Sequence, residues 1–188
     1  MTSDDTAGAD ALSRLVAHDE IRMLASRYAL ALDSRDLETL VGLFVPDVRI
    51  GSAIGRDALF ESFREMLRSV GRTVLSVGTH VIDLEGPDDA TGSVYCKAEV
   101  QEGDHWIHQA VLYEDCYKRV DGPIGAQWRF VRRRHLLFYG AEVGVNPLTL
   151  APANWPEHAQ GWGTVPEAWE TWRAFWGDDP PPRPGPSG

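Results

Sequence analysis

Three residues have side chains suited to moving protons: Tyr28, Asp33 and His80. A carboxylate beside a histidine fixes the imidazole tautomer and raises its basicity, so the other ring nitrogen can take a proton near neutral pH. A phenol beside them can donate to an oxygen that gains charge, or to a departing hydroxyl. Such a trio suits proton abstraction next to a carbonyl, followed by elimination or isomerisation, and calls for no cofactor. Spacing alone does not bring the three together. Tyr28 and Asp33 are five positions apart, about 140° around an ideal helix. They converge only if the helix ends near Asp33 and both point into the mouth of a concave sheet. Each residue also fits a plain structural role: Tyr28 as a core tyrosine, Asp33 as a helix-terminal cap, His80 as a half-buried strand histidine.

The elements that must position them are legible from periodicity. Leu15, Ile21, Leu24, Ala25, Tyr28 and Leu32 recur at helical spacing and predict a first helix that stops near Asp33-Ser34. Asp36 is an N-cap for a short second helix, with Leu37, Leu40, Val41 and Phe44 inward and Pro46 ending it. A short strand is expected at 48–52. Gly55-Arg56-Asp57 opens a third helix with Leu59, Phe63, Met66 and Leu67 inward. The period then changes from 3.6 to 2. Strands are expected at 79–84, 91–101, 106–119 and 127–139, joined by turns at 102–105 and 120–125. Helices followed by an antiparallel meander predict an α+β fold, with helices packed on one curved sheet. A hairpin of 91–101 with 106–119 sets Cys96 opposite about residue 111 and Cys116 opposite about residue 91. The two thiols then do not meet.

Composition bounds the partners. The chain of 188 residues has a net charge of −10. This argues against nucleic acid, which needs a basic surface, and against polybasic attachment to lipid. Hydrophobic residues make up 43% and charged residues 24%, the mixture of a folded globule. No apolar run approaches the ~20 residues of a membrane span. The acidic N-terminus lacks the apolar stretch of a secretory signal. Two cysteines at no metal-ligand spacing point to free thiols and a cytoplasmic chain.

Four segments follow: 1–10 without structure, 11–140 as the α+β domain, 141–177 as a tryptophan-rich extension, and 178–188 as a proline-rich tail. The extension and tail hold Trp155, Trp162, Trp169, Trp172 and Trp176, five of the seven tryptophans. Thr164 with Pro166 predicts a helix start there, and the segment suits a lid, a dimer contact or a packed helix. His105 and His108, three apart on a strand edge, point to opposite faces and make no metal site.

Residues 21–50, with Tyr28-x4-Asp33 and the second-helix pattern after it, together with 78–84, 90–100, 112–122 and 127–135, resemble the SnoaL-like branch of the nuclear transport factor 2-like superfamily. The resemblance covers roughly residues 12–140. It implies a cone: a strongly curved mixed or antiparallel sheet wrapped by N-terminal helices around a deep apolar pocket. It also implies a homodimer paired through the open sheet face. In many members an aspartate at the end of the first helix pairs with a histidine on the first strand after the third helix, and Asp33 and His80 match those positions. In the dehydratases a tyrosine five residues before the aspartate joins them, matched by Tyr28. Those dehydratases also carry a further acid or second histidine on the strand matching 94–100. Here the inward parity gives Val94, Cys96, Ala98 and Val100, with no acid and no histidine.

Parity places Gln109, Val111, Tyr113 and Asp115 on the next wall, and Val131, Arg133 and His135 on the last strand. Ser52, Val100, Val111, Tyr113, Arg133 and His135 are the candidate substrate contacts. Arg133 and His135 could supply the missing polar group, or belong to a solvated basic run. The resemblance implies a cofactor-independent lyase, foremost a dehydratase, with His80 as base, Asp33 orienting it and Tyr28 as donor. The substrate would be a small hydrophobic cyclic molecule, steroid- or polyketide-like. A polyketide cyclase or double-bond isomerase would use the same residues. A lipophilic binding module, or the small subunit of a ring-hydroxylating dioxygenase, would use none of them catalytically.

Overall fold

The computed structural model describes residues 3–122, 125–154 and 156–182. Helix α1, Ser3–Ser34, already runs through the segment expected to lack structure. It buries Ile21, Leu24, Ala25, Tyr28 and Leu32, whereas Leu12 and Leu15 on its early turns stay exposed. The helix closes in a Schellman arrangement: Arg35 N–H donates to the Leu32 carbonyl (3.2 Å) and Asp36 N–H to the Ala31 carbonyl (2.9 Å). Asp36 then caps α2, Leu37–Gly42, by accepting from the Thr39 backbone N–H at 3.0 Å. The strand expected at 48–52 is a small ribbon of β1, Arg49–Ile50, and β2, Ala53–Ile54. Helix α3, Arg56–Ser69, follows Gly55, whose φ of 104° suits a residue without Cβ. It buries Leu59, Phe63 and Leu67, but Met66 points to solvent.

Four long strands form an antiparallel meander in the order β3, Thr73–Leu84; β4, Asp89–Glu102; β5, His105–Val120; β6, Gln127–Glu142. Cys96 pairs with Val111 and Cys116 with Thr91, so the thiols lie apart and free, as the hairpin register predicts. Helix α1 packs along β3 and against β6. The chain after α2 adds itself to the far edge: Val45 N–H donates to the Phe130 carbonyl and Phe130 N–H to the Leu43 carbonyl, both at 2.9 Å. Helices and sheet thus enclose one core, built on Tyr28, Leu40, Phe44, Phe63, Val94, Val111, Tyr117 and Phe130.

Register shifts decide which residues face that core. On β3, Val77 pairs with Cys96 but His80 with Val94, so Gly78 and Thr79 together oppose Tyr95. Strict alternation would put His80 on the face of Ser76, away from Leu75 and Val77. The extra residue returns it to their side. A second shift leaves Val131 unpaired between Phe130, opposite Tyr117, and Arg132, opposite Cys116. Phe130 and Arg133 both turn inward, and Val131, expected on the wall, is 39% exposed.

In the extension, α4 spans Glu170–Trp176 and starts later than Thr164, with Trp169 at its N-cap position. Trp172 and Trp176 are buried and Trp169 half-buried; Trp155 lies outside the described residues. Thr171 donates to the Ser34 carbonyl (2.8 Å), and Arg72 forms an ion pair with Glu167 at 2.5 Å. Residues 178–182, expected as loose tail, are seated: Pro181 is buried and the Pro182 carbonyl accepts from Gln101 Nε2 at 2.7 Å. The rest of that tail, 183–188, lies outside the described residues. No described helix is long and apolar enough to cross a membrane.

Candidate functional site

The structure sorts the predicted catalytic trio into two polar centres. The first surrounds Asp33, at the last turn of α1 and 8% exposed. Its Oδ1 accepts from Thr73 Oγ1 and its Oδ2 from the Leu75 backbone N–H, both at 2.8 Å. Burial pushes the carboxyl up to about 6, against the lowering effect of these two donors and of the nearby Arg35. Each oxygen keeps a lone pair beyond the bond it already accepts. A carboxylate with this proton affinity can take and return a proton near neutral pH.

The second centre holds His80. Its Nε2 lies 3.0 Å from the Tyr117 hydroxyl, which donates to Asp115 Oδ2 at 2.8 Å. Asp115 is bidentate on Arg133, with Nε to Oδ1 at 2.9 Å and a terminal guanidinium nitrogen to Oδ2 at 2.7 Å. The side chains of this pair are 4% and 0% exposed. Tyr117 has one proton and spends it on Asp115. The His80 Nε2 must therefore be the donor in its own bond to Tyr117, and Nδ1 carries the lone pair. Burial lowers His80 to about 4; Asp115 opposes this, while Arg133, Arg22 and His18 reinforce it. The ring is neutral at physiological pH.

Asp33 and His80 do not form the expected pair. Asp33 is anchored at Thr73 and Leu75, and His80 sits five residues further along β3. That is roughly 16 Å of extended chain, shortened slightly by the bulge, and more than two side chains of this length span. The partner of His80 is Tyr117, a residue the sequence reading left out. The signal available was Asp115-x-Tyr117, two polar side chains on one face of a strand.

Tyr28 is a core tyrosine in this arrangement. Its ring packs edge-on against Phe44, Phe63, Tyr113 and Phe130, at centroid distances of 5.9–6.4 Å. Among the described residues its hydroxyl makes no hydrogen bond to Asp33 or His80. Arg133 lies over the rings of Tyr28, Tyr113 and Phe130 at 4.3–4.5 Å. Burial pushes the Tyr28 phenol up to about 12 and that of Tyr113 higher still, so both remain protonated donors. Burial raises the Cys96 thiol to about 11, against the lowering effect of Arg133 and with a smaller raising effect of Asp33.

The residues expected to contact substrate divide similarly. Val111 and Tyr113 are buried on the inner wall, and half-buried Val100 pairs with Thr73 beside Asp33. Arg133 is inward but committed to Asp115, so it is not a free cation. His135 is exposed, its ring 5.5 Å from that of Tyr113. Ser52 does not belong to the site: it sits exposed in the turn between β1 and β2. His105 and His108 are surface residues near Glu142 and Glu99. Among the described residues no group of three or more His, Cys, Asp or Glu is placed to hold a metal ion.

The chain belongs to the SnoaL-like domain family, whose model matches residues 13–134. Solved structures share its fold. A proposed scytalone dehydratase from Novosphingobium aromaticivorans is 24% identical, with a TM-score of 0.60, over 72% of this chain and 93% of that one. A hexachlorocyclohexane dehydrochlorinase, LinA-type3 from Novosphingobium barchaimii, is 19% identical with a TM-score of 0.63, over 71% of this chain and 94% of its own. A proposed dehydratase of the NTF2-like family from Streptomyces avermitilis is 16% identical with a TM-score of 0.50, over 64% and 95%. None of the curated proteins matches the sequence.

Proposed function

We propose that this chain is a cofactor-independent lyase, most simply a dehydratase, acting on a hydrophobic cyclic molecule of steroid or polyketide type. The observation that carries this reading is Asp33: a carboxylate at the end of α1, buried, pushed up to about 6, and with a lone pair to spare on each oxygen. Asp33 takes the proton from a carbon next to the substrate carbonyl. The electron pair moves onto the carbonyl oxygen, which accepts from a Tyr28 or Tyr113 hydroxyl. Collapse of the enolate expels the β-hydroxyl, and the proton held by Asp33 leaves with it as water. One carbon–carbon double bond forms and no electrons are gained or lost overall. Val100, Val111 and Tyr113 line the path, with His135 at the rim.

This places the base on Asp33, because the His80 ring is tied to Tyr117 rather than to the carboxylate. The membership in a SnoaL-like family and the fold shared with proposed dehydratases and a dehydrochlorinase support the reaction class. We assign the chain to the cytoplasm, which agrees with its two free thiols. A homodimer through the outer sheet face is supported by exposed Val74, Tyr95, Phe138 and Tyr139 there.

The test is incubation with a panel of cyclic β-hydroxy ketones followed by mass spectrometry. A product lighter by one water, absent with Asp33→Asn, supports the reading. A product of unchanged mass with a moved double bond replaces it with an isomerase. A ligand bound and recovered intact across the panel overturns it.

A further inference from the structure

Arg35 is out of place by ordinary backbone preference. It occupies the C′ position of the α1 Schellman motif at φ 60°. Glycine is the usual residue there, because a Cβ in the left-handed region costs roughly 1–2 kcal/mol. A charged side chain is also 2% exposed at this point. Two unfavourable features at one position suggest that the side chain itself is required.

The contacts of that side chain show what it does. One terminal nitrogen donates to the Leu32 carbonyl at 2.6 Å and to Thr73 Oγ1 at 3.0 Å, and the other donates to the Gly71 carbonyl. The Thr73 hydroxyl donates its own proton to Asp33 Oδ1 at 2.8 Å. A directed chain therefore runs from the guanidinium through the threonine hydroxyl to the carboxylate. Trp172 of α4 covers the guanidinium, 4.8 Å from its ring centroid, and Arg35 Nε is buried with no hydrogen-bond partner. Stacking on the indole face compensates a cation held out of water. The family match ends at residue 134, so this cover comes from a part of the chain outside the matched domain.

We propose that Arg35 is a positioning residue for Asp33: it acts through the Thr73 hydroxyl to orient the carboxylate and stabilise its ionised form, and α4 holds it there through Trp172. This rests on the reading of Asp33 as the base, but its test needs no substrate. The nearby charge favours the carboxylate, and the polarised hydroxyl strengthens the bond that Asp33 accepts. Without them, only the Leu75 backbone N–H would still oppose the effect of burial on the carboxyl.

The experiment is a carbon-detected NMR titration of side-chain carboxyls in the full chain, with Asp33 assigned by its loss in Asp33→Asn. Arg35→Gly relieves the backbone strain while removing the guanidinium, and should move the Asp33 midpoint up by about one pH unit. Thr73→Val breaks the chain at its middle, leaves Arg35 in place, and should also move it up. If Arg35→Gly does not fold, Thr73→Val decides alone. A folded variant whose Asp33 titrates as in the wild type overturns the proposal. Retained turnover in Asp33→Asn would instead remove the proposed function and leave this coupling to stand or fall on the titration.

Discussion

The Nε2 of His80 donates to the hydroxyl of Tyr117 across 3.0 Å, and through that hydroxyl the imidazole is tied to Asp115 and Arg133 rather than to Asp33. The proton-handling groups of this cone are thus split between two centres with different proton affinities. The titrations of Asp33 near 6 and His80 near 4 tell them apart.

The rate profile should identify the base. With Asp33 in that role, kcat/KM rises with pH through about 6, as the carboxyl loses its proton. A limb near 4 would point to His80 instead. Asp33→Asn should lose ~10²–10⁴-fold in turnover while its circular dichroism stays that of the wild type.

Stability carries the same signature with a definite sign. The folded-state value of Asp33 is raised from 3.8 to about 6, so the folded chain binds this proton more tightly than the unfolded chain does. The stabilising contribution is fully present below about 3.8 and is lost as pH rises through 6. Relative to Asp33→Asn, the wild type should lose about 2 kcal/mol between pH 4 and pH 7, measured by urea denaturation at each pH. A difference that does not vary with pH would contradict the burial cost assigned to this carboxyl.

His80 has the opposite sign. Its folded-state value is lowered from 6.5 to about 4, so its contribution is present above 6.5 and is lost as pH falls through 4. Proton NMR of the imidazole should show one ring still neutral at pH 5, and His80→Ala should assign it.

The Asp115–Arg133 pair should be costly to break from one side. Both side chains are essentially out of solvent. Asp115→Leu leaves a buried guanidinium against three aromatic rings with no carboxylate, and should cost about 3–5 kcal/mol in denaturant unfolding. The double change Asp115→Leu with Arg133→Met removes both charges and should recover most of that loss.

Trp172 is 2% exposed and packs on Arg35 and Trp176. Trp172→Ala should cost about 3–5 kcal/mol. Hydrogen exchange should quicken first over α4 and the residues around Arg35, because the indole joins the extension to the end of α1.

The elements were readable along the chain because their causes are local. A repeat of apolar residues every three or four positions can bury only one side of a helix, which placed Ile21 through Leu32 against the core. The carboxylate of Asp36 reaches the backbone only three residues on, which marked the start of α2. Alternation in residues 91–101 and 106–119, with one short turn between them, determined both hairpin faces and set Cys96 against Val111. The resemblance likewise named the fold and singled out Asp33 as a candidate.

Which polar groups meet was decided only in three dimensions. A bulge at Gly78-Thr79 turns His80 inward, and another at Val131 turns both Phe130 and Arg133 inward. A bulge arises from the fit between two strands, so neither strand's own alternation encodes it. Similarly, the distance between Asp33 and His80 depends on how far α1 slides along β3, and Trp172 reaches Arg35 only after 137 residues of chain have folded back. Local spacing carries the periodicity of each element; the offsets between elements, set by packing the whole core at once, made Tyr117 the partner of His80 and Thr73 the partner of Asp33.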